Sequence, residues 1–281
     1  MLPWEARLLW LERIPLWIIG LVILVVLIVA AQLGYAVRQL MRRKGMDEPS
    51  SDGFGYLLSA ALALLGLLIA FTFGEAAERF DARRLLVVDE ANAIGTTYLR
   101  IQAMDDVPKA ALSQLMVQYA RTREGFFAAG EDLAAVRKAE ARTDDLQNRI
   151  WTATVAVVRA NPTATINPSV LQTTNDMFDL AASRYAAMEA RMPITVLRTL
   201  LVYVVIAAAL IGYGLGQGRR QIVISVTLFA VLSLAFCLIL DIDRPRAGTV
   251  TVSQAPMDRA VASLESMEAS KAAVVAPKPV P

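Results

Sequence analysis

The side chains best placed to do chemistry lie in IAFTFGEAAERFDARR, where Glu75, Glu78, Arg79, Asp81, Arg83 and Arg84 follow directly on an apolar run. On a helix, Glu75 has Glu78 and Arg79 as surface neighbours, three and four residues away. Charges at that spacing can hold a helix in water, pin a membrane exit, or set the field at the mouth of an ion passage. Asp89 and Glu90 could pass for a catalytic carboxylate pair, but adjacent helical residues point about 100° apart, which argues against a shared proton or metal. In DIDRPRAG, Asp241 and Asp243 alternate with Arg244 and Arg246, a poor donor set for a hard cation. There is no histidine, and the single cysteine, Cys237, sits in an apolar run. Zinc sites, haem ligation, Cys–His pairs, Ser-His-Asp triads and an internal disulfide all need residues this chain lacks. No catalytic residue, metal or cofactor is expected, and the chain does not read as an enzyme.

The elements that must carry these charges are membrane helices. Hydrophobic residues make up 56% of the 281 and charged ones 19%, against roughly 45–50% and roughly 25% for a soluble domain. A net charge of +2, with the arginines spread along the chain, gives no footprint for nucleic acid. The expected partner is the lipid bilayer. Crossing it takes about 20 residues at about 1.5 Å each. Four stretches qualify, from about Leu16 to Val37, Tyr56 to Phe73, Ile194 to Leu215 and Ile222 to Leu240. The first is too long for a signal core and is followed by VRQLMRRKG rather than a cleavage site, so it reads as a retained span.

Between spans two and three the chain reads as helix throughout. In DDVPKAALSQLMVQYARTREGFF, Asp105 and Asp106 are candidate caps, Pro108 suits a first turn, and Leu112, Leu115, Met116 and Tyr119 recur at helical spacing. A second helix runs from about Glu131, after Gly130, to Ala160, and Asn167-Pro168 opens a third that reaches Met192. The expected fold is an all-α membrane protein with four transmembrane helices and a helical extramembrane domain between spans two and three. The expected divisions are 1–53, the first span and a short loop; 54–100, the second span running on into a long extramembrane helix; 101–193, the helical domain; 194–241, spans three and four; and 242–281, a C-terminal segment with a brief β-like patch and a disordered tail. The tail, SKAAVVAPKPVP, is thin in large apolar side chains.

Beyond Arg84, a less polar stripe continues through Leu85, Val88, Ala91, Asn92, Gly95 and Tyr98. A helix of that length needs neighbours along most of it. Copies packed about a symmetry axis would supply them and enclose a passage, apolar in the membrane and charged at one mouth. Sidedness is balanced on charge alone, because Arg38, Arg42, Arg43, Lys44, Arg219 and Arg220 in the short loops compete with the arginines at the opposite span ends.

IAFTFGEAAERFDARR resembles the end of the second transmembrane helix of bestrophins, pentameric anion channels, through Ile69, Phe71, Ala76, Glu78, Arg79, Phe80, Asp81, Ala82 and Arg83. The chain is more closely similar to bacterial bestrophin-like membrane proteins, through RRLLVVDEANAIGTTYLR, NDMFDLAASRY, ARMP, GYGLGQG and DIDRPRAG, covering about residues 54 to 250. The resemblance implies a homo-oligomer, a pentamer, in the bacterial inner membrane, conducting inorganic anions through a pore lined by span two. It also implies that the helical domain and both termini are cytoplasmic. By the same resemblance the neck falls on Ala63, Leu67 and Phe71, one turn apart, with Glu75, Glu78, Arg79 and Arg83 as pore-mouth charges. A ring of Leu67 and Phe71 offers an ion no hydrogen bonds and would gate by dewetting. The same apolar stripe also suits side chains that face lipid or the protein core. The acidic cluster that follows span four in calcium-gated bestrophins is diluted here by Arg244 and Arg246, so calcium gating is not implied. Two other readings stay open: a non-conducting sensor or scaffold binding a ligand or partner through the helical domain, and a transporter or lipid-handling protein.

Overall fold

The computed structural model describes residues 14–45, 51–104, 106–128, 132–214, 219–246 and 248–275. The Asp105 cap, the Gly130 break, the turn at 215–218 and the tail beyond 275 lie outside them. The described residues form eight helices and no strand: α1 Leu16–Arg43, α2 Ser51–Gln102, α3 Asp106–Ala128, α4 Leu133–Ala160, α5 Asn167–Glu189, α6 Ile194–Gly214, α7 Arg219–Asp243 and α8 Ala255–Val275. Four of them, α1, α2, α6 and α7, contain windows long and apolar enough to cross a membrane. The all-α membrane reading holds. The chain forms two compact units, one of residues 1–80 with 191–250 and the other of 81–190 with 251–281.

In the first unit α1 buries Ile23, Leu27, Ala30 and Gly34, a stripe at helical spacing, while Val22, Val25, Val26, Val29 and Leu33 point outward. Apolar side chains on both sides of a helix suit a lipid surround, where burial from water gives no drive and close packing holds helices together. Glycine makes that packing possible between α1 and α6. A Cβ at Gly34 would lie 2.0 Å from the carbonyl oxygen of Ala209, and one at Gly212 would lie 1.9 Å from that of Ala31. The two backbones therefore touch. Polar side chains of α7 divide into two uses. Ser225 and Thr227 donate to their own helix at 2.9 Å, to Gln221 and Val223 carbonyls. Ser233 instead donates across to the Gly20 carbonyl on α1 at 2.6 Å, and Cys237 lies 3.6 Å from that of Leu16.

The end of α7 is locked by its carboxylates. Asp241 accepts from the Thr249 amide at 2.6 Å, from the Thr249 hydroxyl and from the Val250 amide at 3.3 Å. Asp243 accepts from the Met192 amide with both oxygens at 3.1 Å, while Arg191 reaches the Asp243 carbonyl at 3.3 Å and Arg244 that of Ile14 at 3.0 Å. DIDRPRAG is thus a set of ties for the chain entering α6 and leaving α7. The β-like patch after it forms no strand.

In the second unit α3 packs against α4 and α8, and α4 against α5. Asp132 caps α4 by accepting from Ala134 N at 2.8 Å and Ala135 N at 3.3 Å. α8 corrects the expected C-terminal tail. The chain is helical to Val275, six residues into SKAAVVAPKPVP. Met257, Val261 and Leu264, at i, i+4 and i+7, are buried and anchor it. Arg121 on α3 meets Glu265 at 2.5 Å, and Lys271 meets Glu268 at 2.6 Å and the Tyr98 hydroxyl at 2.8 Å. Tyr98 donates to Glu268.

Candidate functional site

The residues of interest lie on α2, which runs through Gly74 without a break for 52 residues. Leu65, Thr72, Ala76, Arg83, Val87, Glu90, Ile94 and Ile101 are buried. At about 100° per residue, Leu65, Thr72 and Ala76 fall on one side in the first unit, and Arg83, Val87, Glu90, Ile94 and Ile101 fall on one side in the second. The opposite stripe has no partner among the described residues. It carries Ala63, Leu67 and Phe71, all exposed, Leu67 at 50% and Phe71 at 68%. With Leu67 set at zero, Ala63 lies at about −40°, Phe71 at about 40° and Glu78 at about 20°. The structure therefore brings Ala63, Leu67, Phe71 and Glu78 onto a single outward face.

The four expected mouth charges part ways. Glu78 is exposed and has no ion-pair partner among the described residues. Glu75, at about 80° from Leu67, is tied to Arg79 at 2.7 Å, the arginine side chain being 23% exposed. Arg83 does not belong with them. It is buried in the second unit, where its Nε donates to the Ala187 carbonyl at 3.0 Å and its Nη2 to that of Ala190 at 2.7 Å, closing the C-terminus of α5. The correction has a simple cause: residue 83 shares its side of the helix with buried Val87, Glu90 and Ile94 in the second unit, and the orphan carbonyls at the end of α5 attract a cation there.

A second polar centre escaped the sequence reading. Glu90 is fully buried in the second unit and accepts from Arg123 with one oxygen and from Arg184 with the other, at 2.6 Å. Arg184 also reaches Gln254 at 2.5 Å. The ring of Phe126 lies under both guanidiniums, 4.7 and 5.8 Å from their carbons. Asp89, its neighbour, is exposed, so the two carboxylates do not act as a pair. Nearby Tyr119 is buried, which pushes its hydroxyl up to about 12. No group of three or more metal-ligating side chains occurs among the described residues.

The family model described as Bestrophin-like domain matches residues 24–257. Among solved structures, a mutant of a bacterial bestrophin homologue from Klebsiella pneumoniae is similar at a TM-score of 0.65 and 13% identity, over 88% of this chain and 98% of that one. The form of the homologue phased on zinc gives 0.64 and 14%, over 91% and 99%. A crystal structure described as a membrane protein gives 0.64 and 13%, over 90% and 98%. At these identities the likeness is one of fold. No curated protein matches the chain.

Proposed function

The chain belongs to the bestrophin-like family, and from that membership we propose that it is an ion channel of several identical subunits, five by the family resemblance, with α2 lining the conduction path. The observation that carries this reading is the outward stripe of α2, apolar at Ala63, Leu67 and Phe71 and then acidic at Glu78, on a helix whose other side is packed. Fivefold copies of that stripe about an axis form an apolar neck at Leu67 and Phe71, where a narrow bore excludes water and blocks ions until it widens. The channel sits in the bacterial inner membrane with its helical unit in the cytoplasm. Anions are the expectation from the resemblance; the charge that α2 presents at the mouth decides whether this chain follows it.

The test is reconstituted flux. Phe71→Ala widens the neck and raises ion leak from liposomes above wild type, and a mild-detergent mass equal to five copies of the 30.6 kDa chain accompanies it. Zero flux in both proteins, or a monomer, sinks the proposal. One feature favours a second reading, a ligand-binding sensor. In the second unit a groove of about 480 Å³ runs between residues 88–99 of α2 and 256–267 of α8. Ligand-dependent melting without flux would decide for it.

A further inference from the structure

We infer that this channel selects cations, through the carboxylate that Glu78 places just beyond the neck. The inference rests on the channel reading above and names the ion class for the same path. Counted along the sequence, the mouth is balanced, with Glu75, Glu78 and Asp81 against Arg79, Arg83 and Arg84. Sorted by face, it is acidic. Arg83 is buried and spent on the carbonyls of Ala187 and Ala190. Arg79 and Glu75 neutralise one another at 2.7 Å, and Arg84 lies about 100° from Leu67, off the stripe. In the first unit Glu78 is the charge that shares the face of Leu67 and Phe71, exposed and without an ion-pair partner among the described residues.

Seven residues separate Glu78 from Phe71, about 10 Å along a helix, close to the screening length of about 8 Å at physiological salt. The charge therefore reaches an ion waiting at the neck. Five carboxylates at about that distance from an axis enrich cations and deplete anions several-fold each, a permeability ratio on the order of tenfold. Leu67 and Phe71 add no charge preference of their own, so Glu78 determines specificity while the apolar neck determines whether anything passes.

The test is the reversal potential of the full chain in planar bilayers under a KCl gradient, for wild type, Glu78→Gln and Glu78→Arg, each confirmed to keep the wild-type mass in mild detergent. Wild type favours K⁺ over Cl⁻ by about tenfold, Glu78→Gln loses several-fold of that ratio, and Glu78→Arg reverses it. A conducting wild type that favours Cl⁻, or a ratio indifferent to both substitutions, overturns the inference and leaves the channel standing. If none of the three conducts, the channel reading fails first and the selectivity with it.

Discussion

Removing the carboxylate of Glu90 tests how the second unit is held together. Both its oxygens are used, one by Arg123 and one by Arg184 at 2.6 Å, and the side chains are 0%, 3% and 1% exposed. The three come from α2, α3 and α5, and among the described residues Glu90 is the carboxylate that pairs with both buried guanidiniums. In Glu90→Ala both lose that counter-charge without gaining water. Breaking a buried pair in this way costs about 3–5 kcal/mol. The Phe126 ring beneath them returns at most about 2 kcal/mol, a benefit present in the wild type as well. At about 2–4 °C per kcal/mol, the expected fall in Tm is about 10 °C.

Replacing all three together, Glu90→Leu with Arg123→Met and Arg184→Met, removes the charges along with their desolvation cost and should restore most of the loss. The assay is thermal unfolding of the full chain in detergent by far-ultraviolet circular dichroism. A Glu90→Ala variant within about 2 °C of wild type would show that the guanidiniums find other partners or water, and would refute the reasoning. A triple variant worse than the single would refute the desolvation half of it.

Two further outcomes follow from local geometry. Gly212→Val puts a side chain where a Cβ alone would sit 1.9 Å from the Ala31 carbonyl oxygen, so α1 and α6 must separate; the oligomer should be lost on size exclusion, while Gly125→Ala, with nothing within 4 Å, elutes as wild type. The carboxylate of Glu268, although burial pushes its pKa up, is held below its ordinary 4.5 by hydrogen bonds from Lys271 and Tyr98. Its depressed folded value means that its stabilisation is present above pH 4.5 and fades as pH falls through that lower value. The gap in Tm between wild type and Glu268→Gln should therefore narrow as pH falls from neutral through that lowered value, and a constant gap would count against the tie.

The fold was legible where a single segment carried its own signal. Four apolar runs became four helices with membrane-length windows. What escaped depended on partners remote in sequence. Glu90 reads as an ordinary surface acid until Arg123 and Arg184, 33 and 94 residues away, close on it. The last turns of α8 read as tail because SKAAVVAPKPVP is thin in large apolar side chains; Met257, Val261 and Leu264, buried further back, anchor the helix, and α3 packs against it. Nothing in their own segment marks Ser233 and Cys237 as partners of another helix; the near approach of α1 gives them the carbonyls of Gly20 and Leu16.

The candidate site shows the same limit in a sharper form, because its charges were all in view from the start. Arg79 and Arg83 are identical in chemistry and one turn apart, and both were assigned to the mouth. A turn of four residues advances a helix by about 400°, so the second arginine lands about 40° further round. That small rotation carries it from the rim of the packed stripe into its centre, where α5 ends and presents carbonyls without donors. Glu78, one residue before Arg79, is rotated about 100° the other way and faces outward. A net charge summed over the window averages these environments and yields zero; under the channel reading proposed above, the field at the mouth would be set by the face left open. The register of a helix relative to its packed side is therefore the quantity from which selectivity must be read, and in this chain it reads acidic.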